Sequence, residues 1–327
     1  MRTPRLKICL TSLLVSSALV GCASSGGTAD ATVPDDTGAA SDGGVGDGPI
    51  VTDAAAAQMK LFFNAEITGP TPDKTQINIR SASTTDGFHF TLDPQTWITS
   101  YALSDPVEYR MKSGKWIIAG FHEGEGIRVA VHDQTPDFTS ATFTVAVVKG
   151  QVPSILEFDD GIRLYYFGDL GIQSAFSKDG VTWTLEPGAR VATPSGSNLF
   201  LIADPAPARR KDGTIVMYFK AATLPRDGGD SPYDHMIYRA TSKDGLTFTH
   251  ENKLLVNHAG IPQAFTNAAG HVGVYFLDFS KFPGTKENIA AMYEQDDYSL
   301  TPPAPIVFET PLPDRAWADD PCPVLVP

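Results

Sequence analysis

Four stretches of this chain follow one plan: an X-Pro dipeptide, a short strand, a polar turn and a strongly apolar strand. They read DPVEYRMKSGKWIIAGF (105–121), VPSILEFDDGIRLYYF (152–167), DPAPARRKDGTIVMYF (204–219) and IPQAFTNAAGHVGVYF (261–276), starting 47, 52 and 57 residues apart. Three of them are followed by a second strand pair around a polar turn, IQSAFSKDGVTWTLE, IYRATSKDGLTFTHE and the weaker IAAMYEQDDYSLTPP; the first has only the degenerate IRVAVHDQTPDFTSATFTV. Each unit therefore reads as four short strands rich in Tyr, Phe, Val and Ile, separated by Gly, Asp and Lys turns. Four-stranded units at a spacing of about 50 residues predict an all-β fold, a β-propeller.

The ends of the folded part decide the number of blades. The C-terminal DDPCPVLVP is an X-Pro strand without sisters, whereas KLFFNAE, INIRSAST and FHFTLD near residues 60–93 are three strands without an innermost one. Joined, these remainders make a fifth blade closed by strands from both termini. An arbitrary β protein need not leave complementary remainders, and closure removes the sheet edges that invite aggregation. The expected domain is a monomeric five-bladed propeller over residues 58–327.

Residues 1–21 carry three cations, Arg2, Arg5 and Lys7, and an uncharged apolar run from Ile8 to Val20. That run is too short to span a bilayer as a helix, so the segment reads as a secretory signal. Leu19, Val20, Gly21 and Cys22 resemble the lipobox of bacterial lipoproteins, in which the cysteine is lipidated and becomes the mature N-terminus. The expectation is a membrane anchor through acyl chains on Cys22. Ala23 and Ser24 then favour the outer membrane of a Gram-negative cell envelope. Residues 22–57 are rich in Asp, Gly and Ala, with no Lys, Arg or aromatic side chain, and read as a disordered tether.

A formal charge of −13 argues against nucleic acid as a partner. Of the three cysteines, Cys9 belongs to the signal and Cys22 to the anchor, which leaves Cys322 without a disulfide partner.

In a propeller each innermost strand starts at one mouth of the central channel, and the second strand returns to it. The X of each X-Pro, namely Asp105, Val152, Asp204, Ile261 and Asp320, is therefore expected around one funnel. Asp before Pro also simply starts turns. Three carboxylates around one axis, however, repel each other, which raises pKa values and suits acid/base work, or suits a hard cation such as calcium in the central channel. The DG turns carrying Asp86, Asp179 and Asp244 fall on the opposite face, where Asp-Gly is ordinary hairpin chemistry. Phe88, Trp183 and Phe248 beside them read as packing between blades.

Five blades, Asp-Pro at the start of innermost strands, and S-x-DG-x-T-W/F turns resemble the arabinanase, xylosidase and invertase group of five-bladed glycoside hydrolases, especially family 43 and its relatives. The resemblance covers nearly all of residues 58–327. It implies an aspartate base or nucleophile, a second aspartate that orients or tunes, and a glutamate acid, all from inner strands. Asp105 would match the first and Asp204 the second. The pattern then departs, with Val152 and Ile261 where a glutamate is wanted and Asp320 as the third carboxylate. Second-strand rims offer other acids: Glu123 is preferred as proton donor, with Glu125, Asp169, Asp278 and Glu66 as further candidates. His122, Asp169 and Asp278 are candidate sugar contacts, and Trp317 could stack on a sugar ring. The expected function is hydrolysis of a neutral glycan at the cell surface with no required cofactor; the alternative is a non-catalytic propeller that captures a glycan or a protein.

Overall fold

The computed structural model describes residues 58–67, 76–94, 98, 103–192, 199–223, 235–280, 289–310, 312 and 316–326. Signal, Cys22 and tether lie outside them. Every regular element among the described residues is a strand, and the strands form five sheets, antiparallel except for one short parallel pair.

One sheet joins β1 (Gln58–Ile67), β2 (Gln76–Thr84) and β3 (His89–Leu92) to the C-terminal strand. The next blade comprises β4 (Ser104–Arg110), β5 (Trp116–His122), β6 (Gly126–His132) and β7 (Thr144–Val147). It is followed by β8 (Gln151–Phe158), β9 (Gly161–Gly168), β10 (Gly171–Ser177) and β11 (Thr184–Glu186). A third run contains β12 (Leu199–Arg209), β13 (Ile215–Thr223), β14 (His235–Ser242), β15 (Thr249–His250) and the short β16 (Val256–Asn257), which also pairs with β14. The fourth has β17 (Ala259–Thr266), β18 (Val272–Asp278), β19 (Ile289–Tyr293) and β20 (Ala304–Pro305). Two strands remain, β21 (Val307–Phe308) and β22 (Ala316–Val326).

Strand β22 pairs with β1 from Gln58↔Val326 to Ile67↔Ala316, so the fifth blade is closed by both ends of the chain, as the leftovers require. The innermost strands β22, β4, β8, β12 and β17 each touch the next and the last returns to the first, which makes the ring. One element is additional: β21 runs parallel to β3 and covers the outer edge of the closing blade.

The second strands read as continuous apolar runs because they are covered on both faces by neighbouring blades. In β13 the stretch Ile215–Phe219 is wholly buried. Blades are latched to one another through these strands. The Tyr165 hydroxyl donates to the Gly245 carbonyl (2.8 Å) and that of Tyr275 to the Gly87 carbonyl (2.6 Å), both in DG turns of the adjoining blade. Gly245 adopts φ +71°, and a Cβ there would lie 2.6 Å from Phe158 and 2.7 Å from the Tyr165 hydroxyl, so this turn needs glycine for conformation and for space. Asp244 Oδ1 accepts the amides of Leu246 and Thr247 at 2.8 and 2.9 Å, turn chemistry rather than site chemistry. Phe248 packs edge-on against Tyr165, and Phe88 against Tyr293.

The X-Pro dipeptide is a β-bulge in every blade. Pairing slips between Ser104 and Val107, Gln151 and Ser154, Ala203 and Ala206, Gly260 and Gln263, and opposite Phe62/Asn64 in the closing blade. At each slip the X residue is left-handed: φ is 49° at Asp105, 46° at Val152, 49° at Asp204, 50° at Ile261 and 49° at Asp320. Proline offers no amide to the ladder and drives its predecessor out of the right-handed helical region. Asp tolerates the left-handed region better than most residues, whereas the β-branched Val152 and Ile261 hold it at a cost of order 1–3 kcal/mol each.

Candidate active site

The bulges set Asp105, Asp204 and Asp320 at one mouth of the channel, each on a different blade. Asp320 is buried, and its Oδ2 accepts two hydrogen bonds, from Asn64 Nδ2 at 2.6 Å and from the Asp105 backbone amide at 3.1 Å. Asp204 is only 1% exposed, and its Oδ2 lies 2.7 Å from the Lys220 ammonium, itself largely buried. The Asp204 Oδ1 has no hydrogen-bond partner among the described residues. Asp105 is half-buried at the rim. Its carboxyl is pushed well above the ordinary range by desolvation first and then by the negative charges of Asp320 and Asp204, with Lys220 pulling the other way. The neighbouring carboxylates thereby favour the protonated form of Asp105.

Asn64 and Lys220 were not among the residues picked from sequence, although a signal for them exists. The residue paired with the position before each X-Pro is Phe121, Phe167, Lys220, Leu277 and Asn64 around the ring. Two polar side chains stand in a column otherwise filled by large apolar ones, and each serves a funnel aspartate. Gly260 leaves room for the lysine, since a Cβ there would come 3.3 Å from Lys220 Cδ.

The remaining candidates sit at the rim. Glu123 is exposed on the β5–β6 turn. His122 is half-buried, with Nδ1 3.1 Å from the Glu123 carbonyl and 3.4 Å from Glu125 Oε2, while Glu125 is engaged by Arg128 at 2.5 Å. Asp169 is exposed on the β9–β10 turn. Asp278 ends β18 and accepts the Ser280 amide at 2.8 Å, which fixes the turn that follows. Trp317 and Glu66 face each other as backbone partners on β22 and β1; their side chains lie outside the described residues.

Among the described residues no group of three or more His, Cys, Asp or Glu is placed to hold a metal ion. Lys220 already supplies the positive charge at Asp204, and the donors of Asn64 and Asp105 occupy Asp320 Oδ2. What the arrangement offers is a carboxyl with a raised pKa, Asp105, near two carboxylates held by donors.

No protein-family model and no curated protein matches the chain. Solved structures do match. A structure described as a glycoside hydrolase aligns with TM-score 0.57 at 12% identity, covering 78% of this chain and 61% of that one. Sucrose-6-phosphate hydrolase from Lactobacillus gasseri aligns with TM-score 0.53 at 15% identity over 77% of this chain and 59% of its own. Bacteroides ovatus Xyloglucan PUL GH43B gives 0.51 at 13% identity over 84% and 55%. The chain thus spans less than two thirds of the length of these three. At such identities the likeness is one of fold: this five-bladed propeller has the fold of these three proteins.

Proposed function

We propose that this chain is a glycoside hydrolase that cleaves a neutral glycan in the propeller funnel, held at the outer membrane by a lipid on Cys22. The observation that carries the reading is the funnel triad: three aspartates at strained bulge positions on three blades, one of them with its pKa raised by desolvation and by the other two. Asp105 is the proton donor to the leaving glycosidic oxygen, and Asp320, oriented by Asn64, is the carboxylate that activates water or meets the anomeric carbon. Asp204 adds to the upward push on the Asp105 pKa, and Lys220, paired with Asp204, offsets part of it. This reverses the role that the resemblance implies for Asp105 and removes the need for a glutamate acid.

Release of reducing sugar from arabinan, xylan, fructan and mannan panels tests the reading. Asp105→Asn and Asp204→Asn should each lower the rate by about 10²–10⁴-fold, the usual worth of acid/base catalysis. Activity would also fall as pH rises through the Asp105 pKa, because the donor is lost. Rates unchanged in both variants would remove the site.

Val152 and Ile261 favour a second reading, a glycan-capturing propeller, because two of five funnel positions are apolar. Saturable glycan binding without any product on prolonged incubation would establish it.

A further inference from the structure

We propose that the chamber at the end of the axis opposite the funnel is a second ligand site, built for a small polyhydroxylated anion of the sugar-phosphate or uronate kind. Beyond their bulges the five inner strands line a cavity of about 370 Å³, within the size range of small-molecule pockets. Its wall carries Glu108, Ser154, Gln263 and Cys322, and its mouth carries Arg110, Lys112, Arg209 and Lys211. Arg110 stands five residues past Asp105, so at about 3.3 Å per residue the mouth is roughly 15 Å from the funnel aspartates.

Two independent features point to an occupant. Glu108 is 1% exposed, and neither of its side-chain oxygens has a partner among the described residues. A buried carboxyl left without a hydrogen bond is costly, and ligand hydroxyls entering the chamber would satisfy it. Ser154 already donates to Gln263 Oε1 at 3.0 Å, so a polar rail runs across the wall beside Glu108. The second feature is the charge at the mouth, which runs against the trend of a chain carrying −13. Among the described residues Lys112 and Lys211 pair with the exposed Asp159 (3.2 Å) and Asp296 (3.8 Å), pairings that contribute little in water. The Arg209 guanidinium lies over the Phe158 ring at 5.0 Å and donates to the Glu157 and Gly213 carbonyls, both at 3.4 Å. The opposing carboxylate in the lining, Glu157, accepts the Lys112 backbone amide at 2.8 Å. An anionic head would sit among the cations and its hydroxyls would reach inward.

Calorimetric titration and thermal unfolding of the full chain with inorganic phosphate, glucose 6-phosphate, glucuronate and glucose provide the test. Glucose 6-phosphate, glucuronate or both should bind and raise the melting temperature, whereas glucose should not; the stronger of the two names the anion. Arg110→Gln and Lys211→Gln, surface changes that leave the core intact, should each weaken binding about tenfold, as expected for a charge-assisted contact. Glu108→Gln, which keeps a buried donor, should retain binding, while Asp105→Asn in the funnel should not alter it. Failure of both sugar anions to bind, equal binding of glucose, or binding lost with Asp105→Asn but untouched by Arg110→Gln and Lys211→Gln would overturn the proposal.

Discussion

Raising the pH toward 8 should destabilise this protein through one side chain, Glu108, and replacing it with glutamine should remove the effect. The residue sits on β4 at 1% exposure, and its backbone is tied to Cys322: the Glu108 amide donates to Sγ at 3.3 Å and the thiol donates back to the Glu108 carbonyl at 3.4 Å, while the carboxyl oxygens have no partner among the described residues. Burial pushes its pKa from 4.5 to about 8. The folded state therefore keeps a proton that the unfolded chain gives up above 4.5, so stability is full below that value and declines as pH rises to about 8. At 1.36 kcal/mol per pKa unit the loss is about 4–5 kcal/mol, a large part of the 5–15 kcal/mol that holds a typical domain. Urea unfolding at about pH 5 and about pH 8 measures it, provided wild type and Glu108→Gln are compared at both. Other titrating groups, Asp105 among them, are common to the two proteins and cancel in the difference. The variant should gain on the wild type by several kcal/mol between the two pH values. A difference that stays constant across the range would refute the reasoning, because it would mean that Glu108 ionises in the folded state as easily as in the unfolded one.

Two further outcomes follow from the funnel. Lys220→Met should cost about 3–5 kcal/mol in urea unfolding, since it strands the buried Asp204 carboxylate without its cation; a cost below about 1 kcal/mol would show that water already solvates the pair. Asp105→Asn should melt at or above the wild-type temperature while losing activity, because it removes the cost of holding that carboxyl protonated on folding yet keeps a side chain that accepts the left-handed backbone; a clear fall in melting temperature would make the carboxyl structural.

The blades were legible because their information is local. X-Pro, turn and apolar strand recur within about 17 residues, and the two leftovers can pair only with each other. The pairing of β21 with β3 was not legible, since a two-residue parallel contact leaves no pattern. The aspartates were legible as a ring, but not the partners that define their chemistry. Asn64 and Lys220 become visible only when the second strands are aligned through the register at the bulge, which the sequence does not print. The assignment of the proton to Asp105 was further out of reach, because it depends on the combined field of groups from four strands. Glu108 illustrates the same limit: beside Tyr and Arg it reads as an ordinary surface acid, and only the narrowness of the channel makes it a buried one.

The bulge itself decides how much an Asp-Pro step can mean. Val152 and Ile261 adopt the same φ as the three aspartates, so the left-handed step belongs to the propeller and not to the carboxylate. Relief of backbone strain alone would favour asparagine or glycine, which fit that region at least as well and carry no charge. Nor do the aspartates earn their place as local caps: Asp204 reaches Lys220 and Asp320 reaches Asn64, far along the chain. Charge at these positions costs desolvation and repulsion, offset in part by the Lys220 ion pair of Asp204 and by the amides that Asp320 accepts from Asn64 and Asp105. Val152 shows that the ring closes without a carboxylate at this step. Three aspartates at steps that Val152 and Ile261 show can be neutral fit the proposed site for proton transfer, and Lys220 and Asn64, polar side chains in an otherwise apolar column, make that charge tolerable.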